Sequence, residues 1–156
     1  MQGNTMLQAV LFFILMVGAA YLDIRKRVIP TVIWCAVGAI ACLDFRPIHL
    51  MGVLAAVPLL IIAVWIAPNR LGGGDIKLVA ATGLVLGLQE TNMAVILGLS
   101  LQIVVFGFAF LLQKVKGKEM GRKDFKDCSM PLAPCLSIGF LCIYSLKLGG
   151  VINEII

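Results

Sequence analysis

Residues 6–22 read MLQAVLFFILMVGAAYL, and this apolar stretch ends directly at Asp23. A second apolar stretch, residues 50–67, is soon followed by GGGD at residues 72–75. Each stretch approaches the length of about 20 residues that a membrane-spanning helix needs. Because a carboxylate next to hydrocarbon is costly, its presence indicates a functional site by default. Two carboxylates at the same predicted depth, Asp23 and Asp75, favour a catalytic pair.

The composition indicates an integral membrane protein. Of the 156 residues, 61% are hydrophobic and 13% are charged, and the mean hydropathy is +1.05. Soluble domains average about 25% charged residues, and a soluble fold of this size could not bury so much apolar side chain. The net charge of +5 comes from short loops between apolar segments, without a basic run interleaved with exposed aromatics. The sequence therefore predicts no nucleic-acid partner.

Six apolar segments predict an all-α, polytopic membrane protein with six transmembrane helices in one domain, residues 1–156. The segments are 6–22, 31–43, 50–67, 76–88, 93–113 and 132–148. The second and fourth have 13 residues each, fewer than the roughly 17–25 of a complete span. We expect these two helices to tilt little, to recruit flanking residues or to end below the membrane surface.

The distribution of lysine and arginine predicts the orientation. With six spans, eleven of the 13 basic residues fall on one side of the membrane, and Arg46 and Lys147 fall on the other. The positive-inside rule makes the first side cytoplasmic. Both termini are then outside, and the loops 23–30, 68–75 and 114–130 are at the cytoplasmic side of the cell membrane.

The two aspartates offer acid–base chemistry. Two nearby carboxylates cannot both ionise easily, so one proton is shared between them. The ionised carboxylate can take a proton from water while the protonated one polarises a scissile carbonyl, which hydrolyses a peptide bond without a covalent intermediate. His49 is the single histidine and is expected on the outer side. Since Ser100 and Ser137 then have no histidine within reach, we expect no serine nucleophile.

Other interpretations of the aspartates stay open at this point. Asp23 could balance the basic triplet at residues 25–27, and Asp75 could cap the helix that follows it. The pair could also be the cation site of a small ion- or proton-coupled transporter, since glycine-interrupted segments mark such sites. No cysteine or histidine set has the spacing of a metal site, so we expect neither a metal nor a cofactor.

Three patches resemble the type IV prepilin peptidases, which are membrane aspartic proteases with a Gly-x-Gly-Asp motif. The patches are DIRKRVIP at residues 23–30, GGGDIKL at 72–78 and MPLAPCL at 130–136. The resemblance implies that Asp23 and Asp75 are the catalytic dyad. The residues that we assign to substrate binding are Gly72, Gly73, Gly74, Lys77, Pro131 and Pro134. For Lys77 the alternative is that it only anchors its helix at the membrane interface.

The resemblance also implies a substrate. The expected reaction removes the short basic leader of prepilin or pseudopilin substrates at the cytoplasmic face, with membrane lipids around the helices. Larger members carry a cytoplasmic insertion with two CxxC pairs that is associated with N-methylation of the new terminus. Here the second apolar segment follows the first aspartate loop directly. A peptidase-only form like those of Tad-type (Flp) pili is the closer match, and we expect no methyltransferase activity.

Overall fold

The computed structural model describes residues 2–26, 29–44, 47–66, 72–115 and 132–149. In these ranges all regular secondary structure is helical, which confirms the predicted all-α class. Six α-helices occur there, one on each apolar segment of the sequence: α1 (Gln2–Lys26), α2 (Thr31–Ala41), α3 (Val57–Ile61), α4 (Gly73–Leu86), α5 (Leu88–Val115) and α6 (Ala133–Leu148).

The third apolar segment is helical but changes its helix type along the chain. A 3₁₀-helix covers Pro47–Ala56, α3 follows, and a π-helix covers Ile62–Ile66. Pro58, which has no N–H to donate, lies in the first turn of α3, next to the change from 3₁₀- to α-helix. Gly52 packs so closely on Gly83 of α4 that a Cβ on either glycine would collide with the backbone of the other. This segment therefore holds α4 at backbone contact.

Among the described residues, three helical stretches are long and apolar enough to cross a membrane: Thr5–Lys26, Pro47–Trp65 and Leu88–Leu112. These long apolar helices agree with a membrane protein. The helices α2 and α4 have 11 and 14 residues, which confirms that the second and fourth segments are short. Helix α6 is also short, with 16 residues. Six complete crossings of the membrane remain a prediction.

Two helix boundaries differ from the sequence prediction and change the setting of the aspartates. Helix α1 continues past the apolar segment 6–22 to Lys26, so Asp23 lies in its last turn. Helix α4 begins at Gly73, so two of the three glycines in the predicted loop 68–75 are helical. The Asp75 N–H donates to the Gly72 carbonyl at 3.0 Å. Asp75 therefore belongs to the first turn of a helix.

A single glycine separates α4 from α5. Gly87 has φ +102°, a left-handed conformation that glycine adopts without steric cost, and α5 begins at the next residue. The ammonium of Lys147 lies 3.0 Å from Glu90 Oε1 and donates to the Leu86 carbonyl at 2.5 Å. These contacts join the end of α4, the start of α5 and the end of α6. They lie at the end of the bundle away from the aspartates.

Helix α6 packs against both α1 and α5. The rings of Phe12 on α1 and Tyr144 on α6 have centroids 5.0 Å apart. On the other side, a Cβ added to Gly139 would collide with the Ala94 carbonyl and approach the Gly98 backbone to 2.9 Å. Because α6 is in close contact along its length with two neighbours, the position of its first turn is well defined. That first turn is part of the site described next.

Candidate active site

Asp23 is buried in the last turn of α1 and is held by the first turn of α6. Its side chain is 7% exposed, and its Oδ2 accepts a hydrogen bond from the Ala133 N–H at 3.0 Å. Ala133 is the first residue of α6, and the N–H groups of a first turn have no partner within their own helix. The positive end of the helix dipole also favours a negative charge there. The start of α6 therefore supplies a hydrogen-bond donor to the buried Asp23 carboxylate.

Asp75 is equally buried, at 7% exposure, but its environment is different. Its Oδ1 is buried and accepts no hydrogen bond from any described residue. A Cβ placed on Gly72 would lie 2.9 Å from Asp75 Oδ2, so any side chain there would push the carboxylate away. An ionised carboxylate without donors is costly to bury. The environment of Asp75 therefore favours the protonated form.

The two carboxylates influence each other electrostatically. Asp75 precedes the apolar segment 76–88 and lies outside the three stretches long enough to span a membrane. Burial, and secondly the negative charge of Asp23, raise the pKa of Asp75 from 3.8 to about 7. Below about pH 7 the buried Asp75 therefore carries a proton, beside a second buried carboxyl group that accepts a hydrogen bond from an N–H donor. Paired carboxyl groups with divided roles of this kind are suited to acid–base hydrolysis.

A contact between Ile29 and Gly74 brings the two aspartate-bearing segments together. A Cβ on Gly74 would lie 3.1 Å from the Ile29 Cβ and 3.6 Å from its carbonyl oxygen. The first distance is tighter than ordinary van der Waals contact, so a larger residue at position 74 would displace Ile29 or the start of α4. Glycine at this position thus lets α4 begin beside the chain that leaves α1. Gly73 is different, because nothing lies within 4 Å of its added Cβ.

The other residues assigned to substrate binding lie around this site in different ways. Gly72 and Gly73 are exposed, and Pro134 is half-buried in the first turn of α6. The Lys77 side chain is exposed, and its ammonium lies 5.4 Å from the centroid of a Trp34 ring. This cation–π contact joins α4 to α2 and fits the anchoring alternative for Lys77. Pro131 lies outside the described residues.

Sequence reasoning missed the Ala133 N–H as part of the site. The signal was present, because a proline at residue 134 favours a helix that starts at this point and leaves first-turn N–H groups free. The sequence could not say which acceptor they meet.

A metal site would need a group of at least three His, Cys, Asp or Glu side chains. No such group occurs in the part of the chain that the structure describes.

The fold and the site together define a helical membrane protein with a buried pair of interacting carboxyl groups. The model of the type IV leader peptidase family matches residues 10–112, about two thirds of the chain. The chain belongs to this family of peptidases. The match includes both Asp23 and Asp75 and ends before α6. No curated protein and no solved structure matched the chain.

Proposed function

We propose that this protein is an aspartic endopeptidase that removes the short basic leader from prepilin-like proteins at the cytoplasmic face of the membrane. The observation that carries the proposal is the buried pair Asp23 and Asp75, which comes from two distant segments of a leader peptidase family chain. Their contrasting environments support one ionised and one protonated carboxyl group. Residues 1–156 act as a single membrane-embedded domain.

In the proposed reaction, Asp23 is the base and Asp75 is the acid. Ionised Asp23 takes a proton from water, and the water oxygen attacks the carbonyl carbon of the scissile bond. Asp75 donates its proton to the carbonyl oxygen, which gives a tetrahedral diol. When the diol collapses, the C–N bond breaks, the leaving nitrogen takes the proton held by Asp23, and Asp75 recovers a proton from a hydroxyl group. The dyad returns to its starting state.

The location of the dyad supports the choice of substrate. Asp23 lies in the last turn of α1, and Asp75 lies in the first turn of α4. Both are at the end of the bundle where the sequence concentrates its basic loops, which is the cytoplasmic side by the positive-inside rule. In a substrate with a basic leader and an apolar helical stem, the leader would lie in the cytoplasm and the stem in the membrane, so the boundary between them would lie at this level. The bond to be cleaved would then meet the dyad.

The short connection between α1 and α2 supports a peptidase without methyltransferase activity. Only residues 27–30 separate the end of α1 at Lys26 from the start of α2 at Thr31. No insertion with CxxC pairs is present there. The products of the proposed reaction are therefore a leader peptide and a mature chain with an unmethylated amino terminus.

Purified protein incubated with a candidate prepilin tests the proposal. We expect mass spectrometry to find one cut, between the basic leader and the apolar stem, and no methylation when a methyl donor is added. The same preparation in liposomes should conduct no ions. An intact substrate together with ion flux that depends on the aspartates would overturn the peptidase in favour of a transporter.

A further inference from the structure

Gln102 is a polar residue on α5 that the proposed reaction does not yet use. It lies within the apolar stretch Leu88–Leu112, is half-buried, and has a buried Oε1 that accepts no hydrogen bond from the described residues. Polar groups buried without a partner are uncommon and cost free energy. The unpartnered oxygen thus indicates an acceptor whose donor lies outside the described residues.

The packing of α5 on α6 places Gln102 at the level of the dyad. A Cβ on Gly98 would lie 2.9 Å from the Leu136 Cα, and Gly139 packs at Ala94. Residue numbers therefore rise along α5 as they fall along α6, and the two helices are antiparallel. Gln102 is one turn beyond Gly98 on the same helix face. It therefore faces the first turn of α6.

The first turn of α6 connects Gln102 with Asp23. Helix α6 begins at Ala133, whose N–H donates to Asp23 from the α1 side. Gln102 approaches the same turn from the α5 side, so the two polar side chains flank one helix terminus. Peptide bound at this terminus would be within reach of both.

The carboxamide of Gln102 matches what an extended substrate lacks. A peptide bond can be cleaved only when it leaves the helix, and its backbone N–H and C=O groups then need partners at the edge of the hydrocarbon. A carboxamide offers one acceptor oxygen and two N–H donors. We infer that Gln102 binds the substrate backbone beside the bond that is cleaved, an inference that rests on the proposed peptidase function.

Kinetics of Gln102→Met test this inference. Methionine has a similar length but cannot accept the hydrogen bond, so we expect KM to rise about tenfold, the effect of one lost hydrogen bond. We expect kcat to change less than about twofold, as for a contact made equally in the ground and transition states. The matched control is Ser100→Ala, because Ser100 is exposed on the opposite face of α5 and its Oγ donates to the Leu97 carbonyl. If Gln102→Met does not fold, Gln102→Leu replaces it, because leucine also lacks a hydrogen-bond acceptor.

Substrates with single ester bonds separate a direct contact from an effect on α6. An ester bond removes one backbone N–H from the substrate. When the ester is moved along the residues around the cut, we expect one position at which it raises the KM of the wild type about tenfold. At that position the ester should not raise the KM of the position-102 variant any further. If the ester raises KM equally in both proteins, or if the variant has an unchanged KM, the inference is wrong, but the proposed peptidase function is not affected. A wild type that cleaves nothing overturns the proposed function and this inference with it.

Discussion

Asp23 and Asp75 are the same residue type after similar apolar segments, yet their environments differ. Asp23 receives the N–H of Ala133, which lies 110 residues further along the chain. Asp75 has a buried oxygen that no described residue satisfies. The sequence predicted a dyad from motif and depth, but the division of roles depends on contacts between distant segments. No local pattern around either aspartate contains that information.

The pH dependence of cleavage should report the proton on Asp75. Its pKa is raised to about 7 by burial and by the charge of Asp23, so the proposed acid is lost as the pH rises through that value. We expect kcat to fall about tenfold per pH unit well above about pH 7, because each unit removes nine tenths of the remaining protonated form. A pH–rate profile with a prepilin peptide measures this directly.

Thermal unfolding in detergent gives an independent check of the same group. The folded protein binds a proton at Asp75 up to about pH 7, whereas the unfolded chain releases it near 3.8. Between these values the unfolded state binds fewer protons, so this group makes stability fall as pH rises. Asp75→Asn should lose that part of the pH dependence. An identical pH dependence in both proteins would contradict the raised pKa.

Gly74→Val should reduce turnover by about 100-fold, the cost of misplacing a reacting group by about 1 Å. The valine would meet Ile29 and displace the start of α4, although Asp75 itself is unchanged. Gly38→Val is the matched control, because nothing lies within 4 Å of its added Cβ. Turnover measured for both variants at equal folded concentration decides the matter, and wild-type turnover in Gly74→Val would contradict the proposed role of the contact.

At the scale of helices, the apolar segments predicted where the α-helices form, but not how they end or cross. The segment 50–67 gave no sign that its helix would change from 3₁₀ to α to π. The apolar segment ends at residue 22, whereas α1 continues to Lys26, so Asp23 lies within the last turn of its helix. Hydropathy reports burial or lipid contact, whereas these details depend on hydrogen bonding and packing between elements.

The crossing of Gly52 and Gly83 positions α4 and should be sensitive to one methyl group. In Gly83→Ala the new Cβ would collide with the Gly52 backbone, and overpacking of this kind typically costs about 1–3 kcal/mol. Gly107→Ala has open space at its Cβ and should be neutral or slightly stabilising. Thermal unfolding of both variants measures the difference, and equal stability would show that the two helices can separate at little cost.

At the scale of the whole molecule, the sequence predicted the helical class and an orientation, while the structure adds which segments meet. The contact of Ile29 with Gly74 joins the two motif segments and could not be read from either motif. Only three stretches among the described residues are long enough to span a membrane. The short helix α2 follows Asp23, and the short helix α4 contains Asp75 in its first turn, which fits a site near one membrane surface.

Cysteine labelling tests the predicted orientation. Since Asp23 and Asp75 are buried, their exposed neighbours Arg25 and Gly73 are the better reporters. In a background without native cysteines, Arg25→Cys and Gly73→Cys should react with a membrane-impermeant reagent only from the cytoplasmic side. Ile48→Cys, which is exposed and expected on the outer side, should react only with reagent added outside. The reverse pattern would invert the topology and remove the prepilin as substrate.

The most direct measurement of the central claim is the cleavage rate of a prepilin by Asp23→Asn and Asp75→Asn. Asparagine is nearly isosteric with aspartate but cannot exchange the proton, so each variant should fold and lose at least about 100-fold in turnover, the contribution of general acid–base catalysis. Mass spectrometry of the product measures the turnover of each variant, and unfolding curves show whether the variant is folded. If either folded variant cleaves at a rate near that of the wild type, the acid–base dyad is wrong.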